Sequence, residues 1–424
     1  MAMRDQQIVV GVDIGSSKIA TLIAKIEEEA INILGVSEIP AKGIRKGQVV
    51  DIEEAAGAIN AALDAAERMA GYSISRVFVS ISGVHIESQN SKGIVAISEP
   101  QGEISDTDVN RVLEAAGAIS LPSTATIIHV LPKTFTVDGE GGIKDPNGMT
   151  GVRLEVDTHI ITANTTSVRN LERVFEQEAG VGINALVFSG LASSLATLTD
   201  TEKELGVIVA DIGAGITNIC IFVDGALSYS AVIPIGARHI TNDLAIGLRI
   251  SLESAEKIKL YLSNKAHKKS GEDEGDEVDL SELKLPEELK KVSKKTLIDG
   301  IIRPRLNELF TMIGMELKKS GFATQTPSGL VITGGGARTI GAQESAKRML
   351  SMPVRIGTPS SLSGLIDDVE NPSFATAVGL LTYGKNFTVK ETGSFLDSIF
   401  SMVPSGSGGN IGGKVKKLIK NFMP

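Results

Sequence analysis

The chain has no tryptophan, aromatic residues make up 4% of its 424 positions, and Cys220 is its single cysteine. Stacked rings and a basic field are what nucleic acid requires, and this chain offers few rings and a net charge of −9, so nucleic acid is not an expected partner. One cysteine permits no intrachain disulfide, as in a reducing cytosol, and Cys220 lies in the apolar run 219–223, where it reads as a small buried hydrophobe. The five histidines (His85, His129, His159, His239 and His267) show no ligand spacing, so a zinc site is not expected. Long hydrophobic runs are also lacking. The uncharged stretch 179–199 is diluted by Asn184, Ser189, Ser193, Ser194 and Thr197, and reads as a buried strand over 183–188 followed by a small-residue helix. The start, MAMRDQQIVVG, passes into a strand without a signal-peptide core. With 42% hydrophobic residues and a mean hydropathy of +0.13, the chain has ample core material, and its length predicts two or more lobes.

What is present is a repeated grammar. Segments 10–18 (VGVDIGSSK) and 208–218 (IVADIGAGITN) each run from β-branched residues to an Asp and then to glycines and small hydroxyl residues. A strand delivers the Asp to its end, and a Gly-rich turn lets backbone N–H groups close on an anion. One such loop is weak evidence; two of them, about two hundred residues apart, predict a duplicated phosphate clamp. Asp13 and Asp211 would face each other and hold the water shell of Mg²⁺. Gly15, Ser16, Ser17 and Lys18 on one side, with Gly213, Gly215 and Thr217 on the other, would donate to phosphates. Gly334, Gly335 and Gly336 in VITGGGAR let a purine or ribose lie on bare backbone, and Glu256 with Lys259, one helical turn apart, offers a carboxylate for ribose hydroxyls. The stretch 379–386 (GLLTYGKN) mimics a P-loop but lacks the terminal Ser/Thr and follows a helical pattern, so it is set aside.

The order strand, strand, strand, helix, strand after residue 8 recurs after Leu205, which predicts two similar α/β lobes. The expected division is a first-lobe core of 1–82, 163–200 and 341–384, an inserted α/β subdomain of 83–162, a second-lobe core of 201–240 and 300–340, and an outer subdomain of 241–299. Within these, 139–151 reads as a glycine-rich loop, 265–282 as a solvated charged loop, and 287–319 as helix broken near Pro304. Residues 385–413 read as a flexible linker and 414–424 as an amphipathic helix.

That last segment places Val415, Leu418, Ile419, Phe422 and Met423 on one stripe, with Lys414, Lys416, Lys417 and Lys420 on the other face. Basic charge opposite an apolar stripe suits an anionic lipid surface. At roughly 1 kcal/mol per lysine, opposed by the ordering of a short helix, a single copy would bind weakly, and linkage of many copies would make it firm. Whether 395–403 (FLDSIFSMV) joins this anchor or docks on the body is open.

These segments resemble the actin/Hsp70/sugar-kinase superfamily and, within it, the FtsA family of bacterial division proteins. VGVDIGSSKI resembles the first phosphate motif, GVIVADIGAGITNICIF the second, and VITGGGARTIG the adenosine motif; the stretches at 187–206, 233–245 and 353–385 are more specific to FtsA. The resemblance spans essentially the whole chain. It implies a two-lobed actin-like ATPase fold of α/β class with duplicated RNase H-like cores, an inserted subdomain in the first lobe and the terminal amphipathic helix. It implies further an ATP- and Mg²⁺-binding protein that forms filaments with itself on the cytoplasmic membrane face at the division site, tethers the tubulin-like GTPase FtsZ through that protein's C-terminal peptide, and recruits later division proteins. By the same carry-over, the FtsZ peptide would meet the outer part of the second lobe near Arg303, Arg305 and Lys319. Where actins position the attacking water, 189–192 (SGLA) offers no Gln or Glu, so slow or negligible ATP hydrolysis is expected. A small-molecule kinase of this superfamily and a PilM-like pilus scaffold remain as alternatives, neither of which calls for the basic tail.

Overall fold

The computed structural model describes residues 7–388, apart from 28–29, 99–101, 269–275, 288, 361 and 366–368. The expected anchor at 414–424, residues 395–403 and all of the expected linker after 388 lie outside the described residues.

Three β-branched strands open the chain: β1 (Gln7–Ile14), β2 (Lys18–Glu27) and β3 (Ala30–Pro40). Helix α1 (Ile52–Ala70) follows, started by Asp51, whose carboxylate accepts from the Glu54 N–H at 3.0 Å, and stopped by Gly71 at φ +63°. Strand β4 (Arg76–Ile81) returns to lie parallel to β1. The chain then leaves for an insert: β5 (Glu87–Ala96), α2 (Asp106–Gly117) entered through a Ser105–Asp108 capping box, β6 (Ala125–Val137), β7 (Glu140–Ile143) and β8 (Arg153–Asn164). These make a four-stranded sheet in the order β5-β8-β6-β7, so part of the expected glycine-rich loop is a short edge strand. Helix α3 (Thr165–Arg173), β9 (Gly182–Phe188) and α4 (Ser189–Thr197) complete the first half.

The second half repeats the first. Strands β10 (Val207–Ile212), β11 (Thr217–Val223) and β12 (Ala226–Ile233) form the same antiparallel meander. Helices α5 (Arg238–Leu248) and α6 (Leu252–Lys268), strands β13 (Glu277–Asp279) and β14 (Lys291–Ser293), and helix α7 (Arg303–Ser320) intervene before β15 (Leu330–Thr333), α8 (Ala342–Leu350) and β16 (Val354–Ile356). Strand β17 (Leu362–Gly364) and helix α9 (Ala375–Thr388) then return to the first half. The two main sheets read β9-β4-β1-β2-β3-β17 and β12-β11-β10-β15-β16. Both therefore hold three antiparallel strands, with two parallel strands added beside the first.

Three differences from the sequence expectation have local causes. Polar residues over 277–293 pair as β13 and β14 because backbone hydrogen bonds suffice for so short a ladder, and Val278 supplies a buried side chain. Pro304 sits at the start of α7, where its missing N–H is no loss, and a π-helical turn over Thr296–Ile302 leads into it. Helix α9 continues past Gly384 to Thr388, so 385–388 is helical and not linker.

Alternation along β10 sends Val207 and Val209 into the core shared with the first lobe, and Ile208, Ala210 and Ile212 into the core beneath α5–α7. A third core lies between α2 and the inserted sheet. The P-loop mimic is explained by packing: Gly379 lies inside α9, and a Cβ there would fall 1.7 Å from the Ala192 carbonyl oxygen of α4, so only glycine lets the helices meet.

Candidate functional site

The two Asp-bearing strands end at one cleft. After β1 the chain reverses through a turn closed by Gly15 N–H donating to the Lys18 carbonyl at 3.0 Å; after β10 the equivalent turn is closed by Gly213 N–H donating to the Ile216 carbonyl at 2.9 Å. Both turns line a cleft of about 650 Å³, together with the start of α5, one face of α6, the three glycines after β15 and residues 371–376. That volume falls within the range of small-molecule sites.

Asp13 accepts a hydrogen bond from the Ser80 hydroxyl at 2.8 Å. The surrounding protein strips its hydration and raises its pKa, against the pull of Ser80 and of the Lys18 charge. Asp211 is 6% exposed and accepts from the Asn218 amide at 3.1 Å and the Thr376 hydroxyl at 3.4 Å. Burial pushes its pKa up to about 7, and the negative charge of Asp13 adds to the rise. Two desolvated carboxylates that repel each other are a pocket for a cation. Among the described residues no three His, Cys, Asp or Glu side chains converge, so the donor set suits a hydrated Mg²⁺ held through water and ligand oxygens, not a protein-caged metal.

Most of the residues expected from sequence line this cleft: Asp13, Gly15, Ser16, Ser17, Lys18, Asp211, Gly213, Glu256, Lys259, Gly334, Gly335 and Gly336. Two do not. Thr217 is fully buried and its hydroxyl donates to the Ile235 carbonyl at 2.8 Å, because β-strand alternation turns it inward. Gly215 lies against Ser16, with space for a Cβ only 3.2 Å from the Ser16 hydroxyl, and takes no part in the lining. Asn218, one residue beyond Thr217, faces the cleft instead.

The charges are organised in pairs. Lys18 Nζ lies 2.7 Å from Glu38, 3.1 Å from the Ser373 hydroxyl and 3.8 Å from the centre of the Phe374 ring. Lys259 donates to Glu256 at 2.7 Å and to Thr241 at 2.9 Å, and burial lowers its pKa while Glu256 raises it. Gly334 adopts φ +80°, and a Cβ there would sit 2.3 Å from Asp211 Oδ1, so this glycine is required for the β15 turn to approach the carboxylate. Sequence reasoning missed Arg238, whose Nη2 donates to the Ser16 carbonyl at 3.1 Å, and also Ser80, Asn218 and Arg338. The last three give no signal by spacing; Arg238 could have been sought as the first residue of a helix opening onto a Gly-rich turn.

The three cations expected at a partner surface lie on α7 but not on one face, since Arg303 and Arg305 are two positions apart on a helix. Arg303 pairs with Asp299, Lys319 with Glu316 at 2.9 Å, and Arg305 forks onto Asp243 at 2.6 and 2.9 Å. Arg305 borders a shallow cavity of about 340 Å³ beside Ile246, which is 76% exposed. Among the described residues, no helix is long and apolar enough to cross a membrane.

Duplicated sheets of one topology, with mirrored Asp–Gly turns over a shared cleft, define the actin-like ATPase fold. Solved structures agree: a PilM–PilN type IV pilus biogenesis complex matches with a TM-score of 0.62 at 17% identity, covering 88% of this chain and 97% of that one, and MreB5 of Spiroplasma citri bound to ADP matches with a TM-score of 0.52 at 12% identity, covering 89% and 96%. Within that fold, residues 83–162 match the family described as the SHS2 domain inserted in FTSA, and residues 208–379 match the family described as cell division protein FtsA. Cell division protein FtsA of Pseudomonas aeruginosa is 39% identical over 384 residues, 90% of each chain. The chain belongs to the FtsA family of cell division proteins.

Proposed function

We propose that this chain is an ATP-binding, filament-forming tether that holds the FtsZ ring on the cytoplasmic face of the membrane and recruits later division proteins. The observation that carries the nucleotide part is the convergence of Asp13 and Asp211, from equivalent strands, on a single cleft. In this reading Mg²⁺, when bound, neutralises the carboxylate pair and the phosphates. The first-lobe turn donates to phosphate oxygens through Ser16, Ser17 and Lys18 and the second-lobe turn through Ala214, while the N–H groups of Gly15 and Gly213 close the two turns. Gly334, Gly335 and Gly336 supply bare backbone for the base and ribose, opposite Glu256 and Lys259.

The ATPase would be slow. The glutamates lining the cleft are Glu38, Glu253 and Glu256, and each is already in an ion pair, with Lys18, Lys257 and Lys259 respectively. Ser82, Ser189 and Asn218 also line the cleft and cannot take a proton from water at neutral pH, and Asp13 and Asp211 are committed to the cation in this reading. Turnover of many ATP per second by the purified chain would contradict this.

The membrane part rests on the basic amphipathic pattern of 414–424, and the partner part on the family together with the shallow cavity at Arg305 and Ile246, whose Ile246, Ile301 and Pro304 suit a short peptide carrying apolar side chains. The test is co-sedimentation with anionic liposomes in Mg–ATP, comparing the full chain with one ending at Gly413, with and without FtsZ. Pelleting that is lost on truncation and that carries FtsZ down supports the tether. Equal pelleting of both chains, or of neither, removes it.

A further inference from the structure

Lys18, Lys259 and Arg238 all line the cleft, but they are not equivalent. Lys18 is paired with Glu38 and Lys259 with Glu256; among the described residues Arg238 forms no ion pair. Arg238 is an exposed residue and lies close enough to Lys259 for its charge to depress that ammonium. It is the first residue of α5, and its backbone N–H donates to the Ala214 carbonyl at 2.8 Å, which fixes its root on the second-lobe turn. Its side chain reaches the other lobe, where Nη2 donates to the carbonyl of Ser16 in the first-lobe turn at 3.1 Å. A guanidinium has five N–H donors and one is used here, so four remain beside the two turns.

We infer that Arg238 is a strap across the cleft mouth: it ties the second lobe to the Ser16 carbonyl and meets the polyphosphate of a bound nucleotide with its remaining donors, so that it controls how fast the nucleotide leaves. The inference rests on the nucleotide-binding reading above. Other links join the same walls, among them Ser82 to Asn218 and Thr376 to Asp211, both buried, and the Gly334 N–H to the Pro372 carbonyl at 3.1 Å. Arg238 differs from them in carrying unused cationic donors beside the first-lobe turn, so its hold on a ligand grows with the number of phosphates. Lysine could not replace it fully, because a point donor cannot hold a carbonyl and a phosphate in fixed directions at once.

The test measures release of fluorescent AMP, ADP and ATP analogues, with Mg²⁺, from the full-length wild type, R238A and R238K by stopped-flow displacement. R238A is expected to release ATP and ADP about tenfold faster and AMP nearly unchanged, with R238K between, since a charge-assisted bond to phosphate is what has been lost. A structural defect would speed all three alike. Equal acceleration of AMP and ATP, or R238A rates equal to wild type, overturns the strap while leaving nucleotide binding intact. A wild-type chain that binds none of the three analogues sinks the nucleotide reading itself, and the strap with it.

Discussion

The turns after β1 and β10 are built on one plan and have come to do different work. In the first lobe, Asp13 is steadied by a hydroxyl from β4, and the turn ends in Lys18, a cation on its own strand. In the second, Asp211 is held by a neutral amide and a hydroxyl, the turn ends in a buried threonine, and a cation, Arg238, arrives from the following helix. The first carboxylate therefore sits close to a compensating charge, while the second is raised by burial and by its own twin. A duplicated scaffold supplies the symmetry of the cleft, and the residues just beyond each turn break it. The second half carries the electrostatic strain that a cation would relieve.

Removing either carboxylate is the largest perturbation available. D13A and D211A should each weaken Mg–ATP binding by about a hundredfold or more, as expected when a buried charge that faces a cation is lost. Titration calorimetry with and without Mg²⁺ checks this. If only one of the two matters, the mirrored clamp is wrong and a single lobe does the binding.

A subtler comparison uses pH. The folded-state pKa of Asp211 lies near 7, above its ordinary value of 3.8, so between those limits the folded chain holds a proton that the unfolded chain has lost. Stability of the nucleotide-free protein should therefore fall as pH rises from about 4 to about 7 and level off above, by up to roughly 4 kcal/mol from this group. D211N should flatten that slope and stabilise the empty protein at pH 8 while damaging Mg–ATP binding. Denaturant melts of wild type and D211N at pH 5 and pH 8 measure it, and parallel curves for the two would show that Asp211 is not the strained member of the pair.

How much of this was legible in the sequence follows from where each interaction originates. Asp13 and Asp211 were visible because a strand, an Asp and glycines recur in order, and that grammar is local. The shared topology was visible for the same reason. Thr217 was misplaced because the pattern says nothing of which strand face a residue takes, and the alternation that turns Thr217 inward turns its buried neighbour Asn218 toward the cleft lining. Arg238 and Ser80 were invisible because their partners, Ser16 and Asp13, lie 222 and 67 residues away and meet only through tertiary packing. Strands β13 and β14 were hidden under charged side chains, since a two-stranded ladder can hold on backbone bonds with one buried valine.

The smallest effect is also the most discriminating between the two halves. Lys18 is held by Glu38, whose side chain is 52% exposed at the cleft rim, and it retains the Ser373 hydroxyl and the Phe374 ring as further contacts. A phosphate arriving at the first turn must compete with that carboxylate for the same ammonium. E38Q keeps the shape and removes the competition, so ATP affinity should rise by about two- to threefold, more at low salt than at high, as befits an exposed pair. The second half has no such counterweight at Arg238, so no corresponding gain is available there. A fall in affinity for E38Q would mean that Glu38 aims Lys18 instead of restraining it, and the first-lobe cation would then be preorganised by its carboxylate where the second-lobe cation is preorganised by a backbone carbonyl.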